Sequence, residues 1–231
     1  LPEVQKGISF YEKAIAVDPT YAIAYADLSN AYRAMVLTND APPGEIMPKA
    51  KAAAVKAVEL DPNLADGWTS LASSEFWYEW NWQAADQHFK RALELDSSSA
   101  STRAYYGHLL SNLGRHDEAI REIKLARASD PLSLFVNVIE GQILSLAGRN
   151  DESLRMLQTV VDLDPQCNAT SGVGHHPAHP NQHVSQAPQR AARERLRLSV
   201  HEATEHHMRH PLELRRDGLT QMRMVIAVAR R

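Results

Sequence analysis

The chain has 231 residues, 25 Lys and Arg against 28 Asp and Glu for a formal net charge of −3, and 44% hydrophobic residues, enough for one or two domains with a sizeable core. A single cysteine, Cys167, excludes an internal disulfide and a multi-cysteine zinc site, which fits a reducing, cytoplasmic setting. No stretch approaches 18 consecutive apolar residues and the N-terminus lacks the basic-then-apolar layout of a signal peptide, so neither a membrane span nor secretion is expected; a first residue that is leucine rather than methionine reads as a fragment or a processed product.

The mean charge hides two unlike segments. Residues 1–166 hold 15 Lys and Arg against 23 acidic residues, net −8; residues 167–231 hold 10 Arg, no Lys and 5 acidic residues, net +5, together with eight of the 11 histidines. The expected organisation is a folded region over 1–166 and a separate tail over 167–231.

Within the first region a short phrase recurs: Val17-Asp18-Pro19, Leu60-Asp61-Pro62, Leu95-Asp96-Ser97, Ser129-Asp130-Pro131 and Leu163-Asp164-Pro165, at Asp-to-Asp intervals of 43, 35, 34 and 34. Each unit reads as two amphipathic helices, the second carrying an alanine-rich stripe such as Ala85, Phe89 and Ala92, or Ala119, Ile123 and Ala126. In chain order the pattern predicts helices over 5–17, 20–37, 45–60, 63–78, 82–95, 98–113, 116–129, 132–147 and 150–163. Gly114 and Gly148 stand where a helix must end in the left-handed conformation. Pro19, Pro62, Pro131 and Pro165 disfavour helix in the residue before them and are expected in the first turn of the following helix.

These residues resemble the tetratricopeptide-repeat family. The best copy, Ala100 to Pro131, carries Tyr106-Gly107, Leu110, Gly114, Ala119, Ile123, Ala126 and Pro131; the next matches Gly141, Leu144, Gly148, Leu157 and Pro165, with Ser153 and Val160 where alanines are usual. The copy near Ala65 has Trp68, Leu71, Ala72, Ala85, Phe89 and Ala92 but one extra residue in the turn Trp77-Tyr78-Glu79-Trp80-Asn81-Trp82. The copy from Ala22 has Tyr25, Leu28, Tyr32, Ala50, Ala54 and Ala57 and a nine-residue insertion around Thr38 to Gly44, and Gly7, Tyr11, Ala14 and Pro19 look like a second helix without its first. The resemblance implies an all-α helical solenoid, a right-handed superhelix, that binds a peptide or partner helix on a concave face lined by the first helices. In that frame Asp27, Asn30, Thr69, Ser73, Arg103, His108, Asn137 and Gln142 are the candidate contact residues. The clamp with which some members capture a chaperone C-terminal carboxylate is incomplete: Asn30 fits, but Ala26, Ser70 and Ser101 do not.

The order of the insertion, the Trp-rich turn and Gly114-Arg115-His116-Asp117-Glu118-Ala119-Ile120 more narrowly resembles the C-terminal arrays of bacterial serine/threonine kinases, winged-helix regulators and adenylate cyclases, which makes a regulatory fragment of such a signalling protein the alternative reading. No glycine-rich phosphate loop, His-Arg-Asp loop or Asp-Phe-Gly is present, so no enzyme activity and no cofactor are expected. The cluster Phe76, Trp77, Tyr78, Trp80 and Trp82 is expected to pack a widened turn, with contact anchoring as the competing role. Nucleic acid is not expected at the acidic repeats, which repel phosphates. End repeats that lack a neighbour leave apolar faces through which self-association is expected.

The tail is expected to be a disordered linker over 167–190 followed by a weakly helical arginine-rich segment over 189–210. Three readings stay open for it: translation in a shifted frame, a basic arm that binds nucleic acid or the acidic repeats, and a metal site at His175, His176, His179 and His183, for which the flexible setting favours adventitious binding; no specific metal site is expected.

Overall fold

A computed structural model describes residues 2–37 and 41–163; the tail and its three readings, with Cys167 and Pro165, lie outside the described residues. Nine α-helices occur among them: α1 (Pro2–Val17), α2 (Ala22–Leu37), α3 (Pro43–Leu60), α4 (Ala65–Ser74) continued by a π-helical turn (Glu75–Glu79), α5 (Trp82–Leu95), α6 (Ala100–Asn112), α7 (His116–Ser129), α8 (Leu134–Leu146) and α9 (Asn150–Leu163). The chain divides into two compact units at the Leu109–Leu110 step. Each is described by itself.

In the first unit α1 packs on α2, α2 on α3 and α4, α3 on α4, and α4 on α5. The alanine stripes explain the close pairing. Ala50, Ala54 and Ala57 of α3 and Ala85 and Ala92 of α5 are fully buried, and their small side chains let helix backbones approach; Phe89, also fully buried, fills the space between. A fully buried side chain of that size stabilises by about 1.5–3 kcal/mol relative to exposure. Helix α1 docks through Ile8, Tyr11 and Ile15 onto Leu28, Tyr32 and Met35 of α2. Most of the nine-residue insertion goes into helix rather than loop, since α2 and α3 have 16 and 18 residues against 13 and 14 in α6 and α7.

In the second unit the buried Ala119, Ile123 and Ala126 of α7 and Leu157 and Val160 of α9 flank α8, which contributes Val136, Ile139, Ile143 and Leu144. Gly141 is required by close approach: a Cβ there would lie 2.6 Å from Leu157 Cδ2. Ser153, where alanine is usual, is tolerated because its hydroxyl donates to Gly141 O at 2.7 Å.

The turns inside the helix pairs follow the expected chemistry. Gly114 and Gly148 have φ of +77° and +74°. At each, two backbone bonds close the helix end, Gly114 N to Ser111 O (3.0 Å) with Arg115 N to Leu110 O (2.9 Å), and Gly148 N to Ser145 O (2.9 Å) with Arg149 N to Leu144 O (2.8 Å), the double closure of a Schellman motif.

The turns between pairs differ from expectation. Helices α2, α4, α6 and α8 each start two residues later than the pattern predicts, and Pro19, Pro62 and Pro131 sit in the preceding turn rather than in the helix. The aspartates shape these turns. Asp18, Asp61 and Asp96 each accept, through Oδ1, the backbone N–H two residues on, from Thr20, Asn63 and Ser98, all at 2.9 Å. Asp61, followed by proline, and Asp96, followed by Ser97, share one conformation (φ −138°, ψ 95° and φ −139°, ψ 92°), so the aspartate forms the turn and proline only reinforces it. The hydroxyls of Thr20 and Ser98 also donate to the same oxygens, at 2.7 Å, and these hydrogen bonds hold both carboxyls below the usual range.

Candidate functional site

In the first unit the first helices α2, α4 and α6 contribute a polar and aromatic face. Its centre is Asn30, an exposed residue of α2 whose Oδ1 accepts from Arg33 Nη1 at 2.9 Å, one turn along the same helix, and from Ser70 Oγ of α4 at 3.2 Å. Ser70 Oγ also lies 3.4 Å from Ala26 O. From α4 to α6 the connection is a hydroxyl pair, Thr69 Oγ1 and Thr102 Oγ1 at 2.8 Å, with Thr69 donating to Ala65 O (3.0 Å) and Ser73 donating to Thr69 O (2.7 Å).

Beside this polar strip stands an aromatic corner. Trp77 and Tyr105 meet edge to face, with centroids 5.1 Å apart and planes at 80°; Phe76 and His108 do the same at 5.5 Å and 87°. The Arg33 guanidinium lies 5.1 Å from the Trp77 ring and 5.0 Å from the Tyr105 ring, within cation–π range of both. Burial pushes the His108 pKa down to about 4, so this imidazole is neutral at neutral pH. Phe76 and Trp77 are buried, which supports the packing role expected of them, while Trp80 and Trp82 stay half-buried with their rings 6.3 Å apart.

Five of the eight candidate contact residues are buried in the structure: Thr69, Ser73 and His108 in the first unit and Asn137 and Gln142 in the second. Thr69 ties α4 to α6, Ser73 donates within α4 to Thr69 O, and Asn137 Nδ2 donates to Pro131 O at 3.2 Å. The half-buried Arg103 donates from both Nε and Nη2 to Ser97 O, at 3.0 and 2.8 Å. Gln142 Oε1 has no hydrogen-bond partner among the described residues. Asn30 is exposed and Asp27 half-buried; the Asp27 carboxyl is held above the usual range, first by desolvation and then by the charge of Asp66.

Arg103 and Asn137 belong to a repeating device that the sequence pattern does not announce. Tyr25, Trp68, Arg103 and Asn137 are the fourth residues of α2, α4, α6 and α8, and each donates to the carbonyl six residues back: Tyr25 Oη to Pro19 O (3.3 Å), Trp68 Nε1 to Pro62 O (2.9 Å), Arg103 to Ser97 O, and Asn137 to Pro131 O. The repeat frame gives no role to Arg33, although it is the single Lys or Arg between Lys13 and Lys49. Among the described residues no group of three or more His, Cys, Asp or Glu converges as a metal site would require, and no helix is long and apolar enough to cross a membrane.

No known protein-family profile matches the chain, and no curated protein matches it. Among solved structures, TTC0263, a thermophilic TPR protein of Thermus thermophilus, superposes with a TM-score of 0.58 at 16% identity, covering 69% of this chain and 82% of that one. MamA gives a TM-score of 0.48 at 20% identity over 76% and 90% of the two chains, and YrrB, a TPR protein with an unusual peptide-binding site, gives 0.46 at 24% over 71% and 79%. The described helix pairs therefore have the all-α tetratricopeptide-repeat fold that the resemblance implied.

Proposed function

We propose that this protein is a non-catalytic interaction module that holds a partner peptide or helix on the first-helix face of α2, α4 and α6. The observation that carries the reading is the fixing of that face by side chains from three helices: Ser70 of α4 holds Asn30 of α2, Thr69 of α4 pairs with Thr102 of α6, and the exposed Asn30 and half-buried Asp27 stand on a framework that needs no reordering to bind. Preformed polar positions beside buried aromatic rings suit recognition of an extended chain better than chemistry, since no nucleophile, base and orienting group come together there. The narrower likeness to arrays of bacterial signalling proteins rests on the sequence motifs alone.

Selection of binders from a random peptide phage library against the full chain tests this. Selected peptides are expected to lose at least tenfold in affinity for the Asp27→Ala/Asn30→Ala double variant and to bind a Lys56→Ala/Lys90→Ala control, altered on second helices, as they bind the parent. Peptides equally indifferent to both double variants would refute the assignment of the face.

A further inference from the structure

Arg33 is 7% exposed and, among the described residues, has no carboxylate within ion-pair distance. Among the described residues its one hydrogen bond goes to Asn30, and two aromatic rings lie against the guanidinium. A guanidinium carries five N–H donors in a planar fork, and removing it from water is costly unless those donors and the charge are matched. The other buried charged side chains of the described residues have a side-chain neighbour: Glu75 Oε2 lies 2.7 Å from His88 Nδ1, and Glu140 Oε2 lies 3.0 Å from Arg127 Nη1 without the geometry of a hydrogen bond. Arg33 therefore stands apart as a cation held in place by one side-chain hydrogen bond and two aromatic rings, with no carboxylate beside it among the described residues.

Three features turn this into a recognition site. The rings of Trp77 and Tyr105 and the amide of Asn30 fix the guanidinium, so binding would cost it little side-chain entropy. Asn30, its hydrogen-bonding neighbour, is exposed and marks the side from which a ligand could reach it. Residues 1–109 carry nine Lys and Arg against 14 Asp and Glu, a background that repels anions in general, so an anion bound here is selected by local geometry and not by overall charge. Neutral His108 adds no second cation to the corner.

We propose that Arg33 is the anchor of a carboxylate-binding subsite, whose ligand is an acidic side chain of a peptide lying on the first-helix face. This rests on the reading of that face as a peptide-binding surface. The carboxylate would accept from the free edge of the guanidinium fork while Trp77 and Tyr105 keep the fork oriented.

The test uses the full chain with labelled arginine Nε and tryptophan Nε1 and three probe peptides: acetyl-Ala-Ala-Glu-Ala-Ala-amide, the same peptide with glutamine for glutamate, and free-acid penta-alanine. Saturable shifts of the Arg33 and Trp77 resonances are expected with the glutamate peptide, at least tenfold tighter than with the glutamine peptide. The Arg33→Gln variant should lose that preference, and Arg33→Lys, which keeps charge but not the fork, should retain only part of it. Saturation by free-acid penta-alanine alone, lost in Arg33→Gln, would keep the carboxylate subsite but overturn the side chain as its source. Equal binding of the glutamate and glutamine peptides, or a preference that survives in Arg33→Gln, would overturn the subsite, and so would an absence of saturable shifts with all three probes. The face reading is decided separately by the library selection, which admits peptides without any acidic side chain.

Discussion

A glutamate on the inward side of α8 shows how a single side chain can set a pH response. Glu140 is buried, and desolvation holds its carboxyl above the usual range while Arg127, Lys124 and Arg149 pull it back. A carboxyl raised in the folded state binds its proton more tightly there than in the unfolded chain. Its contribution is therefore full below the unfolded glutamate range and is lost as pH rises through the raised value. In urea denaturation the Glu140→Gln variant is expected to lose that part of the decline relative to the parent. A parent and Glu140→Gln with identical pH profiles would show that the ion pair cancels the desolvation. Asp18 and Asp96 act with the opposite sign: their lowered carboxyls stabilise above the unfolded aspartate range, and that contribution is lost as pH falls through the folded values.

At the scale of one helix, the 35-residue interval finds its explanation. The extra residue noticed in the aromatic turn is absorbed by the π-helical turn Glu75–Glu79, closed by Asn81 N to Glu75 O at 3.0 Å. Trp80 then takes the left-handed position that glycine holds at Gly114 and Gly148, with φ +60°. For a residue with a Cβ this costs about 1–2 kcal/mol. Deleting Tyr78 together with Trp80→Gly should restore an ordinary helix end. We expect far-UV circular dichroism to be unchanged and the urea stability to stay within about 1 kcal/mol of the parent, because relief of strain offsets the lost contact of the Trp80 and Trp82 rings. Deleting Gln87 from α5 should instead cost several kcal/mol, since it turns Ala85 away from Phe89 and Ala92. Equal damage from both deletions would mean that the π turn is not a removable insertion. The period, the glycines and the alanine stripes made the helices legible in the sequence to within two or three residues. The late starts were not legible, because proline was credited with a turn that a preceding aspartate side chain forms.

For the whole molecule the candidate site was less legible than the scaffold. A polar residue on a first helix is written the same way whether it faces a partner, bonds to a neighbouring helix like Thr69, or bonds back to its own helix like Ser73; only the packing distinguishes them. The same applies to Arg33, whose isolation depends on Trp77 and Tyr105, which lie 44 and 72 residues away along the chain. At the N-terminal end α1 leaves Phe10 55% exposed between the ammonium groups of Lys6 and Lys13, with Val17 also exposed. We expect weak self-association through this face, seen in light scattering as a mass that rises with concentration and that Phe10→Ser returns to monomer. A mass independent of concentration in the parent would reject it.

The bond from the fourth residue of each first helix to the carbonyl six residues back has a further consequence. A phenol, an indole, a guanidinium and a carboxamide perform it in turn, so the position demands a reach and a donor but no particular letter. Such a site can drift through chemically unrelated residues while the turn it closes stays the same.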